Sequence, residues 1–348
     1  MAETSGEQFV EEILSGQRDF TGMRLEANFD LYGSGRFDEL QKYLLRQPLW
    51  KDPVILVGAD LPGLHAPSLY MPFVQAYGSN LRESRLAKAN LFKSNLESVD
   101  FRGADLSKVN IPYVNLTEAN MQGAVLTAMS AKGVRLVSAK LDNIKATSID
   151  LEGSDLRKAS MQEAEIQEGN LAHCDLSNCD LSKVKAKQAS FWGARMAEVL
   201  AEEAMFFGAR FESADLRNGN FSGSDFQFAD LRKAILSNSI FNHSRFFRAR
   251  FNNAQLLNAK LKGVDLNEAN LLGAKLLKAD LSQANLELTK MRGTDLTGAD
   301  LTGVRNLEAA TELAFATFNK TILGPREQRI VKRFLQQSDL FHQQMMES

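Results

Sequence analysis

From Leu56 to Leu301 every fifth residue is large and apolar or alanine, and the phase never slips. No single secondary structure has this period, since a helix repeats every ~3.6 residues and a strand every ~2. The chain must change direction within each unit, so each pentapeptide forms one side of a coil. A repeat sustained over this length dictates the architecture before any local motif is weighed.

Two positions in each unit are restricted. The centre, i, is occupied by Leu81, Leu86, Leu91, Leu96, Phe101, Leu106 and their successors. Two residues earlier nearly every side chain is small or β-branched, as in Ala104, Ala119, Ala159, Ala209, Ala229 and Ala279. Alternate residues of a short extended segment point the same way, so i−2 and i face the interior. Positions i−1, i+1 and i+2 face outward and are polar or glycine. Alanine holds the centre at Ala66, Ala76, Ala131, Ala146, Ala186 and Ala201, and in each case the residue two before is larger: Leu64, Val74, Met129, Ile144, Val184 and Val199. Volume is traded between touching positions, because a void costs about 2–5 kcal/mol per missing large side chain.

The Ala-Asp/Asn-Leu pattern at Ala104-Asp105-Leu106, Ala229-Asp230-Leu231, Ala269-Asn270-Leu271, Ala279-Asp280-Leu281 and Ala299-Asp300-Leu301 resembles the pentapeptide repeat family. The resemblance implies an all-β repeat solenoid, a right-handed quadrilateral β-helix of about 12 coils, four pentapeptides to a coil. Residues twenty apart then lie above one another. Phe206, Phe226 and Phe246 fall in one column, Phe221 and Phe241 in a second, and Phe191, Phe211 and Phe251 in a third, where their rings are expected to stack in the core.

Three regions are expected. Residues 1–53 read as an N-terminal helical cap with degenerate repeats: an amphipathic helix after Ser5 carries Phe9, Val10, Ile13 and Leu14, and a second helix runs from Arg36 to Gln47. Residues 54–305 form the β-helix. Residues 306–348 hold a partial coil, its register shifted by two at Leu313, Phe318 and Leu323, then a helix opening at Pro325. Ile330, Phe334 and Phe341 lie near one face of that helix, which serves as a cap or, as the resemblance implies, a homodimer interface. The segment 196–207 has helical character and is a candidate bulge.

Catalytic chemistry finds no support. Cys174 and Cys179 stand two before Leu176 and Leu181 and replace alanine as small buried groups, while His173 points outward. The recurrent aspartates at i−1 belong to the repeat. No nucleophile, zinc or phosphate-loop pattern appears, a repeat wall is expected to lack a pocket, and neither cofactor nor metal is expected. Lysine and arginine number 41 against 43 acidic residues, so bulk charge suggests neither direct nucleic-acid binding nor an acidic duplex mimic. The N-terminus lacks an apolar leader and no stretch is long enough to span a membrane, which leaves a cytoplasmic, bacterial protein as the expectation.

Function is then sought among outward residues that break the polar rule. Phe73 and Tyr113, beside Pro72 and Pro112, lie on one face two coils apart. Trp192, Phe207 and Phe247 each follow a centre, and Arg245, Arg248 and Arg250 place positive charge beside Phe247. Exposed aromatics rimmed by arginine suit a protein interface. The expected function is a non-enzymatic interaction or scaffold protein whose partner the sequence does not name. The alternative implied by the resemblance is a DNA-mimicking protein that binds gyrase or topoisomerase, of the quinolone-resistance type.

Overall fold

A computed structural model describes residues 3–346, with side chains described to residue 336. It divides into two compact units, residues 1–180 and 181–348.

In the first unit, parallel backbone bridges link residues twenty apart, from Ile55↔Gln75 to Ser160↔Asp180. Each side of a coil makes the same bonds. The Leu81 N–H donates to Asp100 C=O at 2.8 Å, Glu83 N–H to Arg102 C=O at 2.9 Å, and Asn80 N–H back to Ala59 C=O at 2.8 Å. Inter-coil pairing therefore satisfies the buried main chain although, among the described residues, no run of strand exceeds two residues. Between these bonds the chain turns. Ala104 N–H donates to Phe101 C=O at 3.0 Å, and the third residue of each such turn, from Gly58 to Gly303, has a positive φ. No Val, Ile, Thr or Pro stands at that position, as expected where β-branching or a fixed ring forbids left-handed backbone.

Both restricted positions are buried, including the alanine centres and their enlarged partners. Cys174 and Cys179 are buried and donate their thiols to the Leu151 and Leu156 carbonyls at 2.9 and 2.8 Å, and burial pushes both thiols up to about 12.

Ahead of the regular coils, Asp19, Arg24 and Asp30 bridge Ile55, Asp60 and His65, so the degenerate repeats form sides of a preceding coil. One extra residue lies between Arg24 and Asp30 relative to their partners. Strands β1 (Glu3–Thr4) and β2 (Arg24–Leu25) pair in parallel. Helix α1 (Gly6–Leu14), whose Gln8 N–H is accepted by Ser5 Oγ, buries Phe9, Val10 and Ile13, with Phe9 edge-on to Phe20 at 5.0 Å. Gly6 lies so close to the Phe29 ring that any Cβ would overlap it.

Helix α2 (Phe37–Leu45) buries Phe37, Leu40 and Leu44. Its Gln41 Oε1 accepts the Tyr70 N–H at 2.7 Å. In the regular coils that N–H would donate to a carbonyl one coil earlier; here a side chain takes the carbonyl's place. Gln41→Leu should cost about 1–2 kcal/mol by orphaning Tyr70 N–H. Chemical denaturation checks this, and hydrogen exchange should quicken at Tyr70; an unchanged midpoint would show that water replaces the amide.

In the second unit the same ladder runs from Lys185↔Met205 to Asp280↔Asp300. Segment 196–207 does not bulge: Met196 N–H donates to Asp215 C=O at 2.6 Å and Leu200 bridges Asn220. Its helical composition yields to the core demand of Met196, Ala201 and Phe206, which are all buried. The phenylalanines stack as their columns require. Phe191 and Phe211 are 4.8 Å apart and 4° from parallel, Phe221 and Phe241 5.0 Å and 9°, Phe226 and Phe246 5.1 Å and 18°. Phe251 departs from this scheme, because Leu231 separates it from Phe211 and its ring meets Phe246 edge-on at 5.0 Å.

Toward the C-terminus the register slips by single residues rather than by two at once. Thr311, Thr317 and Ile322 bridge Lys290, Asp295 and Asp300 across two 3₁₀ turns, Leu307–Ala309 and Leu313–Phe315. Leu307 and Leu313 fill the core, whereas Phe318 and Leu323 are only half-buried. Helix α3 (Pro325–Met346) packs on both 3₁₀ turns, with Val331 and Glu327 buried. Among the described residues, no helix is long and apolar enough to cross a membrane.

Candidate interaction surface

The sides of each coil leave positions i+1 and i+2 on the wall. In the second unit these positions bring three phenylalanines together. Phe207 and Phe228 lie 5.1 Å apart between ring centroids, and Phe228 and Phe247 lie 5.4 Å apart and nearly perpendicular. Phe207 and Phe247 follow centres Phe206 and Phe246, while Phe228 stands one residue further along its turn. Phe228 is 41% exposed and has a φ of 58°. A bulky aromatic in left-handed backbone costs on the order of 1 kcal/mol, and the core gains nothing from this outward ring.

Cations lie over the ring faces. Lys187 Nζ is 5.6 Å from the centroid of Phe207, and the Arg248 guanidinium is 4.9 Å from Phe247 and 6.0 Å from Phe228. Lys187 has no carboxylate partner among the described residues, whereas Arg248 Nε pairs with Glu268 at 2.6 Å. Arg245 and Arg250 flank the same turn but are tied to the preceding coil, through Asp225 at 2.9 Å and Asp230 at 3.5 Å. The positive rim expected around Phe247 is thus largely neutralised, because residues twenty apart bring carboxylates against the arginines. Next to this stripe, Met205 is 53% exposed.

The other sequence-derived residues do not join this stripe. Trp192, 42% exposed, follows centre Phe191 on a different side of the coil. In the first unit Phe73 meets Phe92 edge-on at 5.8 Å, with Lys93 over Phe92 at 5.2 Å. Tyr113, 67% exposed, lies against Gly133 instead, since Lys93 occupies the column position between Phe73 and Tyr113. On α3, Ile330 and Phe334 are half-buried, and the Phe341 side chain lies outside the described residues.

Phe228 was not legible as a member, because it sits one position off the Phe207–Phe247 column. Its signal was the aromatic at i+2, a place held elsewhere mostly by glycine, asparagine, serine and charged residues. Exposed Trp50, at 71%, also carries no repeat signature.

Contrary to the expectation of a wall without pockets, the first unit has a polar cleft of about 500 Å³ lined by Asn28, Asp30, Gly63, His65, Glu83, Arg85, Gly103 and Asp105. Gly63 and Gly103 contribute only backbone to its lining, and the Asn28 side chain packs against Gly63. His65 Nδ1 lies 2.8 Å from Asp30, whose carboxyl is held below its ordinary range chiefly by the Gly33 N–H. Among the described residues, no group of three His, Cys, Asp or Glu side chains is placed to hold a metal ion.

Four other wall arginines are paired within turns. Arg102, Arg157, Arg217 and Arg232 fold back onto Asp100, Asp155, Asp215 and Asp230, two residues before each. Hydrogen bonds from Arg157 and Arg217 hold Asp155 and Asp215 below the ordinary carboxylate range despite partial burial. The same aspartates accept the N–H two residues ahead, as Asp155 does from Arg157 at 3.3 Å, which explains their recurrence at i−1.

Parallel bridges at a constant twenty-residue spacing, around a core filled from two positions per side, define the regular part of each unit as a β-helical repeat solenoid with an outward-facing wall. A family model for pentapeptide repeats matches eight copies within residues 74–111, 168–200, 204–242, 244–287 and 278–305. The chain belongs to the pentapeptide repeat family. Similar solved structures include HetL, a pentapeptide repeat protein involved in heterocyst differentiation regulation from the cyanobacterium Nostoc sp. strain PCC 7120, at 20% identity over 92% of this chain and 94% of that one, TM-score 0.29. QnrB1, a plasmid-mediated fluoroquinolone resistance protein, is similar at 14% identity over 65% and 95%, TM-score 0.28. Rfr23 from the cyanobacterium Cyanothece 51142 shares 24% identity over 32% and 88%, TM-score 0.24. No curated protein matches the chain.

Proposed function

We propose that this protein is a non-enzymatic interaction protein that holds a protein partner on the wall of its second unit. The observation that carries this reading is the Phe207–Phe228–Phe247 stripe, three outward rings in contact through Phe228 on a wall whose outward positions are mostly polar or charged. Aromatic residues with arginine are the groups that contribute most at protein interfaces. The alternative reading, DNA mimicry toward a topoisomerase, needs a continuous negative stripe. Carboxylates here alternate with arginines along a column, as in Asp225, Arg245 and Asp265, so the local charge does not support it.

A bait carrying F207A, F228A and F247A should lose a discrete partner that the wild-type chain retains from an extract of the source organism, while melting normally. Retention by both baits, or by neither, overturns the assignment of this surface.

A further inference from the structure

The wall beneath the three rings has no free strand edge. Phe207 C=O accepts from Gln188 N–H at 2.9 Å and Phe247 C=O from Phe228 N–H at 2.8 Å, so a ligand cannot dock here by extending a ladder. Recognition falls to side chains. Along the column the order is Lys187, Phe207, Gln227, Phe247, with Phe228 beside Gln227 and touching both outer rings.

Coil spacing supplies a ruler. Successive coils rise about 4.8 Å, which puts Phe207 and Phe247 about 9.6 Å apart. A polyproline II helix repeats every three residues, or about 9.3 Å. Two prolines separated by two residues therefore repeat at about the spacing of the two coils that carry Phe207 and Phe247. Such a segment makes no internal hydrogen bonds and leaves its carbonyls free, while Gln227 Nε2, held among the described residues by a 3.3 Å bond to Asp225, and the Arg248 guanidinium can donate to them.

Charge sets the direction. Lys187 lies one coil beyond Phe207, about one and a half polyproline residues along, and lacks a carboxylate partner among the described residues. We infer that the stripe binds an extended, proline-rich partner segment of the form Pro-x-x-Pro with an acidic residue beside the proline seated on Phe207. This rests on the reading of the stripe as the partner-binding surface and specifies what it takes.

The test is a fluorescence-anisotropy titration of the full chain with a labelled oligoproline peptide carrying glutamate at one end. A Gly-Ser peptide of the same charge is the control. Saturable binding to the first peptide alone is expected, weakened at least about tenfold by F207A or F247A and about threefold by K187A, with a shallower salt dependence in K187A. Unchanged melting of each variant excludes misfolding as the cause. Equal binding of the control peptide, no binding up to millimolar peptide, or binding indifferent to F207A and F247A overturns the inference. So does a mass in light scattering that doubles with concentration and returns to monomer in F247A, which assigns the stripe to a second copy of the chain. If the peptide fails while the extract partner is still lost from the triple variant, the ligand chemistry is wrong and the interaction surface stands.

Discussion

Phe226→Ala should destabilise the second unit by about 3–5 kcal/mol. Phe226 is fully buried and its ring touches five others, Phe206 at 4.9 Å, Phe246 at 5.1 Å, Phe211 at 5.5 Å, Phe241 at 5.7 Å and Phe221 at 5.8 Å. The cost belongs at the high end of large-to-small changes because the cavity cannot collapse. Backbone bonds such as Phe226 N–H to Arg245 C=O, 2.8 Å, hold the coils at a set rise, and the flanking rings are wedged by one another. Urea denaturation followed by circular dichroism measures the loss, with Phe226→Leu as a milder comparison expected at about 1 kcal/mol. A midpoint unmoved by the alanine change would sink the claim that stacked rings support this part of the fold.

Ala201→Leu should cost about 2–3 kcal/mol, and Val199→Ala in the same chain should restore most of it. Ala201 and Val199 are both fully buried at adjoining interior positions, and Ser224 Oγ is bonded to the Ala201 carbonyl at 2.6 Å, which limits backbone escape. Leucine at the centre collides with a neighbour that has grown to fill the alanine's space. The double change shifts volume back between the two positions. A thermodynamic cycle gives the coupling directly: additive penalties in the double variant would mean that the two side chains do not share space.

Much of this was open to reading because the pentapeptide is local. Whether a side chain points in or out depends on its place in a five-residue unit, and that place can be counted. Leu64 beside Ala66 and Met129 beside Ala131 were interpretable for the same reason. The column rule also foresaw the Phe226–Phe246 stack, since a bond ladder of constant rise sets the residue twenty positions on directly above a core ring. It failed at Leu231, where an aliphatic residue interrupts a column and Phe251 turns to Phe246 instead.

Hydrogen bonding between coils was less visible. Ser154, Ser224, Ser239 and Ser244, with Thr289 and Thr294, donate to a carbonyl twenty-three residues earlier, as both cysteines do. That acceptor is not on the counted column, because the inward side chain at i−2 reaches diagonally to the centre of the preceding coil. Gln41 is further from sequence logic still, since nothing marks one helical glutamine as a substitute for a missing carbonyl.

For the functional surface the division is sharper. Repeat phase alone gave Phe207 and Phe247 an outward direction and assigned the cysteines and most aspartates to the architecture, because those outcomes follow from side-chain direction within one turn. Only the folded chain decided that Phe228 bridges the other two, that Arg245 and Arg250 are already paired, that Tyr113 stands apart from Phe73, and that a cleft opens beside His65. These depend on where long side chains lie across neighbouring coils. Their reach of several ångströms exceeds the coil spacing of about 4.8 Å, so a one-residue offset can join two columns or separate them.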